Sequence, residues 1–508
     1  MKKIIILLIL ILSAALVFAL PACSKETGGG KQTETGKADS GENGDLASSE
    51  TKTVADDLPG MSFGGYAFRA LTWPEEGGEH TIIAPEEQNG DILNDSIYNA
   101  NKRIEERFDV TIEEIIKGRY HEAPAMLKTA VQSGDDAYDM VLMVDRLAMD
   151  LAMSGRYFCA MNELPNINLS KPYWDKFINE ALSIEGTLYF ASGANMMGAL
   201  DYMCFLVYNK EMVKNEGIEN IHNLVKSGNW TMDKMYELGR SVVKDIDGDG
   251  AYTDADQYGV ILSTDYYYPS FWYANRIPLI AKDENDLPYF NVPGNDKLFD
   301  IFDKQYDFAH DGNVEFDVLA NKLPHYAGSV SGHPIGIVMR IFADGHGLFA
   351  SSSMYTVQAL RAMDADYGIV PYPTYEGQPE GAPYAARVTG LIPLVVPVTN
   401  VDLNMTSALM EALACEYYLN VIPKYYDLAV QEKATRDDES RDMLDMLIAN
   451  RFFDLGDSIW MNDARAQYSG LASAKSNTFV STTEKIEKKV NGTLEKSIAA
   501  FREANEAN

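Results

Sequence analysis

Twelve consecutive residues, Asp245-Ile-Asp247-Gly-Asp249-Gly250-Ala251-Tyr-Thr253-Asp-Ala-Asp256, place carboxylates at positions 1, 3, 5 and 12 of a loop with glycine at position 6. Hard oxygen donors at this spacing wrap a hard cation, with glycine making the sharp turn, the Ala251 carbonyl serving position 7 and Thr253 position 9. The pattern is that of an EF-hand calcium loop, and the expectation is a bound Ca2+ with a structural role. The plain alternative is an acidic turn without metal, in which five carboxylates within twelve residues repel one another.

A second set of residues suits a ligand with hydroxyl edges and weakly apolar faces, which needs aromatic platforms and planar polar groups. Trp73 ends the strand-like stretch 66–73, and Asp145-Arg146 follow the apolar run 139–144. Ligands of open α/β sheets sit at such carboxyl ends of strands. The run 266–273 (YYYPSFWY) is dense in rings. Most of these rings must pack in a core, and one among Tyr268, Trp272 and Tyr273 is expected to face a cleft. Arg387 precedes the strand-like stretch 388–398 and could reach the same place. Trp460 is a further candidate, whereas Trp174 and Trp230 are assigned to structure. Catalytic signatures are sparse: there is no His-Glu-x-x-His, no phosphate-cradling glycine loop and no Cys-x-x-Cys, and the seven histidines are scattered. Paired carboxylates for glycoside hydrolysis stay open as an alternative, because their separation is set by the fold.

The elements that must hold these groups alternate. After the strand 66–73, Leu93, Ile97, Ala100, Ile104 and Phe108 recur at helical spacing, with Asn94 and Asp95 as candidate caps. Stretch 110–115 reads as a strand, 126–131 as a helix and 139–144 as a strand buried on both faces. This βαβαβ order predicts a doubly wound sheet. A second half repeats the style. A strand is expected at 202–208, a helix at 232–243 capped by Thr231 with Asp233 in its first turn, and short apolar strands at 259–262, 347–350, 367–370 and 391–398. The tail from Leu403 reads as mainly helical.

The amino end is a different kind of chain. Lys2 and Lys3 precede an apolar run and then Leu20-Pro-Ala-Cys23, a charged and an apolar region with a small residue at the cut site. This segment resembles the lipobox of bacterial lipoproteins, which implies acylation of Cys23 as the first mature residue; a plain membrane anchor is the alternative. From Ser24 to about Asp57 there is almost nothing to bury, so a disordered tether is expected. The remaining chain, 46% hydrophobic overall, exceeds what one core holds, so two or more packed units are expected. Net charge is −32, and −34 once Lys2 and Lys3 are removed, which disfavours nucleic acid and anionic membrane surfaces as partners. Cys159, Cys204 and Cys415 lie among apolar neighbours and are expected as buried free thiols.

Several passages, in order, resemble the family 1 extracellular solute-binding proteins, the sugar-binding group that includes the maltose-binding protein. They are 139–146, Phe205-Leu-Val-Tyr-Asn-Lys210, Gly228-Asn-Trp-Thr231, Asp256-Gln-Tyr-Gly259, Phe342-Ala-Asp-Gly-His-Gly-Leu-Phe349 and Tyr367-Gly-Ile-Val-Pro-Tyr-Pro373. Arg436-Asp-Asp-Glu-Ser440 also looks like a run common in lipoprotein members from Gram-positive bacteria. The resemblance implies a two-lobed α/β, periplasmic-binding-protein-like fold of type II, each lobe a doubly wound sheet flanked by helices, with hinge crossovers. Residues 1–22 would be the signal peptide, 23–57 the tether, 58–200 and 372–422 the first lobe, and 201–371 and 423–508 the second. Crossings would fall near 199–204, Tyr372 and Ile422. The Asp145-Arg146 pair would hold ligand hydroxyls, Asp201-Tyr202 would lie at the first crossover, and a stacking ring would come from 266–273. The tryptophan that relatives carry within the stretch matching 351–355 is missing, which argues against a maltodextrin. The implied role is capture of a small solute, an oligosaccharide, for the permease subunits of an ABC importer. The chain would be lipid-anchored on the outer face of the cytoplasmic membrane of a Gram-positive-type bacterium. A sensor or adhesion lipoprotein using the same clamp, and a binder of peptides or other solutes, remain alternatives.

Overall fold

The computed structural model describes residues 54–73, 83–323, 334–430 and 438–506, all within one unit spanning 46–508. The signal segment, Cys23, nearly all of the tether and residues 436–437 lie outside these. Among the described residues no helix is long and apolar enough to cross a membrane.

The described residues form thirteen strands: β1 (Tyr66–Thr72), β2 (Val110–Ile116), β3 (Met140–Leu142), β4 (Cys204–Asn209), β5 (Tyr258–Leu262), β6 (Ile280–Lys282), β7 (Pro288–Phe290), β8 (Glu315–Asp317), β9 (Gly347–Ser353), β10 (Tyr367–Val370), β11 (Ala386–Arg387), β12 (Leu394–Val395) and β13 (Arg451–Phe452). The first sheet has the order β12-β3-β1-β2, with β1 parallel to β2 and β3, and β12 antiparallel to β3. The second has the order β10-β4-β9-β5-β8, with β5 parallel to β8 and β9. There β4 runs antiparallel to β9 and β10, so the second sheet is mixed rather than wholly parallel. The reason is connectivity: β4 arrives from the first lobe and enters at the end where its neighbours finish, Cys204 pairing with Ser353 and Leu206 with Val370.

Local signals account for much of this. Leu93, Ile97, Ala100, Ile104 and Phe108 form the buried stripe of the helix Ile92–Phe108. Its cap is Asp91, whose carboxylate accepts from the amides of Leu93 and Asn94 at 3.0 and 2.9 Å, and the expected caps Asn94 and Asp95 lie inside the first turn. Thr231 caps the helix Met232–Val242 as its sequence requires, accepting from the Lys234 amide at 3.2 Å. That helix lies on β5 because Gly239 meets Gly259, where a Cβ on Gly259 would stand 2.7 Å from the Gly239 Cα.

The chain leaves the second sheet after β10 and rejoins the first at β12. The helices Leu403–Asn420 and Ile422–Val430 both pack on Ile92–Phe108, and Asp438–Ala449 packs on β10. The helix Phe479–Glu506 touches elements of both halves, Asp145–Met153 and Asp296–Ala309. Of the three described cysteines, Cys204 and Cys415 are buried, Cys159 is half-buried, and all are free.

Candidate functional site

The finishing ends of β3 in the first sheet and β5 in the second meet on one turn, 454–458. Asp145 opens the helix after β3 and is 1% exposed. Its carboxylate accepts from the Arg146 amide at 2.7 Å, the Leu391 amide at 2.9 Å and the Ser458 hydroxyl. Burial pushes this carboxyl up to about 6, against the pull of those donors. On the other side Arg387, 2% exposed, grips Asp457 with two nitrogens, Nε to Oδ2 at 2.6 Å and Nη2 to Oδ1 at 2.7 Å. Its Nη1 donates to the Tyr266 carbonyl at 2.9 Å, just past β5, and to the Asp265 carbonyl at 3.3 Å, while the guanidinium lies 5.6 Å over the Tyr273 ring. Asp454 completes the turn. It accepts from the Tyr273 hydroxyl and the Leu279 amide, each at 2.9 Å, and burial pushes it up to about 6 as well.

Above this floor the side chains open to solvent. Arg465 reaches Asp457 Oδ1 with Nε at 2.9 Å and Asp265 with Nη1 at 3.7 Å; it is 12% exposed and Asp265 49%. Tyr266 beside it is half-buried, its phenol pushed up to about 12 by burial. From the first lobe, half-buried Arg146 lies 5.9 Å over the Tyr120 ring. From the crossover comes half-buried Tyr202, whose carbonyl accepts from the Thr389 amide at 3.1 Å. Two cations, a carboxylate and three phenol rings thus border a place where both sheets end. Such a set can donate to, accept from and stack on a polar small molecule.

The residues named from the sequence divide accordingly. Arg146 and Tyr202 stand at the open rim. Asp145, Arg387 and Tyr273 form the floor, and Asp201, also buried, takes the Tyr425 hydroxyl. Trp73, Tyr268, Trp272 and Trp460 are packed inside. Tyr268 donates to Glu315 at 2.6 Å, the Trp272 indole to Gln305 at 3.0 Å and the Trp460 indole to Ser497 at 3.3 Å. Trp272 is covered further by Phe302 and Tyr468. Trp174 and Trp230 are buried, in keeping with a structural role. Asp265, Tyr266, Asp457, Ser458 and Arg465 were not anticipated. Tyr266 sat within the aromatic run, but nothing in 457–465 forms a local pattern. Gly60-Met-Ser62-Phe-Gly64 has the spacing of a hydrolase nucleophile elbow, which needs a strand before it and a helix after it. Ser62 instead precedes β1, with its hydroxyl 3.4 Å from Asp109.

The acidic loop is a second feature. One carboxylate oxygen each from Asp245, Asp247 and Asp249 lie within 4.8 Å of one another. Gly248 and Gly250 take φ of 73° and 83°, and the Gly250 amide donates to Asp245 at 2.9 Å. Asp256, at position 12, faces elsewhere. The Thr253 and Ile246 amides, each at 2.8 Å, occupy its two oxygens and hold its carboxyl below the usual range. The Thr253 carbonyl takes the Tyr258 hydroxyl at 2.5 Å. Three oxygen donors therefore fit a hard cation, while Asp256 braces the loop, whose ends Lys244 and Gln257 pair backbone to backbone.

No family model matches the chain, and no curated protein does. Solved structures do. A sugar transporter from Rhizobium etli in an open conformation superposes with TM-score 0.53 at 13% identity, covering 86% of this chain and 99% of that one. An ABC substrate-binding protein from Listeria monocytogenes in complex with cycloalternan gives 0.52 at 10%, covering 85% and 99%. UgpB from Mycobacterium tuberculosis in complex with glycerophosphocholine gives 0.51 at 16%, covering 86% and 100%. At these identities the likeness establishes the fold, the two-lobed α/β fold expected from the sequence.

Proposed function

We propose that this chain is the extracytoplasmic solute-binding component of an ABC importer and that it captures a small polyhydroxylated solute, an oligosaccharide, between its lobes by hinge closure. The observation that carries the proposal is the convergence of β3 and β5 on the turn 454–458 beneath an open rim of Arg146, Tyr202, Asp265, Tyr266 and Arg465. Arginine and carboxylate groups pair with hydroxyls and the rings stack on sugar faces, while the buried floor fixes their positions. Two of the similar structures carry ligands, cycloalternan in one and glycerophosphocholine in the other. We read the chain as a binder and not an enzyme, as the similar structures from Listeria monocytogenes and Rhizobium etli are a substrate-binding protein and a sugar transporter. In keeping with Leu20-Pro-Ala-Cys23, it would be held to the outer face of the cytoplasmic membrane through acyl-Cys23 and the tether. A thermal-shift screen against oligosaccharides, peptides and glycerophosphodiesters tests the reading. An oligosaccharide should raise the melting temperature without being consumed; its hydrolysis would favour a glycosidase, and a response to peptides alone would remove the sugar assignment.

We further propose that Asp245, Asp247 and Asp249 hold a structural Ca2+, the loop carbonyls and water supplying the remaining oxygens. Chelator should lower the melting temperature of the wild type, and Asp247→Ala should remove that response. A native protein indifferent to chelator would refute it.

A further inference from the structure

The two lips of the cleft differ in how their charges are spent. On the second lobe Arg465 serves two carboxylates, Asp457 at 2.9 Å and Asp265 at 3.7 Å, and buried Arg387 is committed to Asp457. On the first lobe half-buried Arg146 stands with its guanidinium 5.9 Å over the Tyr120 ring, and among the described residues no carboxylate pairs with it. The two acids nearest to it in sequence do not supply one. Asp145 spends its oxygens on the Arg146 amide, the Leu391 amide and the Ser458 hydroxyl. Asp150, one turn along the helix, is exposed and feels the guanidinium across space without closing a pair.

A second cation lies on the same lip. Lys117 is exposed just past β2, its amide donating to the Thr72 carbonyl at 3.2 Å, and its ammonium also has no carboxylate partner among the described residues. Arg119, in the same turn, is engaged. Both β2 and β3 run parallel to β1, one on each side of it, so they finish at one end of the sheet. The turn after Lys117 then carries Tyr120 to the Arg146 guanidinium. With 75 acidic residues to 43 lysines and arginines, cations in this chain have carboxylates in excess to pair with, and Arg103, Arg107, Arg240 and Arg502 each do so. Arg146 and Lys117 do not. The ring positions the guanidinium and leaves its planar fork of donors without an oxygen acceptor, and that fork matches the paired oxygens of a carboxylate or a phosphate.

We infer that the solute is an acidic saccharide, its carboxylate or phosphate ester taken by Arg146 with Lys117 as second cation, and its hydroxyls facing Asp265 and Arg465. This rests on the saccharide-binding reading above. The acidity of the rest of the body is screened beyond about 10 Å at 0.1 M salt, so at contact the local cations set the preference.

The test is calorimetric titration of the full chain carrying Cys23→Ser with acidic saccharides and their neutral counterparts: trigalacturonate against its methyl ester, and maltose 6-phosphate against maltose, with maltotetraose and cycloalternan completing the neutral arm. At least one acidic probe should bind about tenfold tighter than its counterpart, and added salt should erode the difference. A response to the uronate assigns a carboxylate, and a response to the phosphate assigns a phosphate ester. Arg146→Gln should bring acidic and neutral probes to similar affinity, and Arg146→Lys should keep part of the preference, since it retains the charge without the fork. A merely structural Arg146 would instead lower both affinities in equal proportion, which would overturn the inference. So would neutral probes binding as tightly as acidic ones, or a preference for the acid that survives Arg146→Gln combined with Lys117→Gln; each of these leaves the saccharide reading standing. If no probe of either kind binds, both readings fall.

Discussion

Arg387 and Arg146 carry the same charge into opposite circumstances. Arg387 is sealed against Asp457, and truncating it leaves that carboxylate buried with Arg465 as its remaining cation. Arg387→Ala should therefore cost about 3 kcal/mol or more in chemical denaturation. Arg146→Ala, at the rim, should change stability by less than about 0.5 kcal/mol while weakening ligand binding, and the reverse ranking would contradict the assignment of floor and rim. Asp145 adds a pH signature. Its folded carboxyl, at about 6, holds a proton more tightly than an unfolded Asp, so its stabilising contribution is present below pH 4 and lost as pH rises through 6. Asp145→Asn lacks that titration. The melting temperature of the variant relative to wild type should rise between pH 4 and pH 7, by the equivalent of up to about 3 kcal/mol; a constant difference would argue against a buried ionising Asp145. The Asp145-Arg146 pair was visible in sequence because both follow one strand, but its partner Ser458 is 313 residues away, and no local pattern announces it.

At the scale of elements, spacing and capping carried most of the information. The helical stripe of Ile92–Phe108, the Thr231 cap and the strand Tyr367–Val370 could be read directly, since each depends on residues within one or two turns of chain. The direction of β4 could not, because antiparallel entry follows from where the crossover delivers the chain and not from the residues of the strand. Nor could the packing of Gly239 on Gly259. Gly259→Ala should cost about 1–3 kcal/mol by overpacking, measured as a lowered denaturation midpoint, since the added carbon meets backbone that cannot rotate aside. The aromatic run became the buried helix Thr264–Ala274 because rings on every side of a helix can be satisfied only in a core.

For the whole molecule the expected behaviour is linkage. A ligand at one hundred times its dissociation constant should stabilise the protein by about 2.7 kcal/mol. Arg465→Ala should reduce that gain and also lower the unliganded melting temperature, because Arg465 pairs with the buried Asp457; an unchanged ligand-induced gain would remove Arg465 from the rim. By itself the sequence determined what is local or additive: the strongly acidic charge, the tether composition, the contiguous acidic loop, the α/β alternation and the general two-lobed plan. Only the tertiary structure decided which aromatic rings stay inside, which cations remain open, and that Asp145 and Arg387 meet on the turn 454–458. Those outcomes depend on burial and on partners hundreds of residues apart, and a charge or a ring has the same identity in sequence whether the fold covers it or leaves it at the rim.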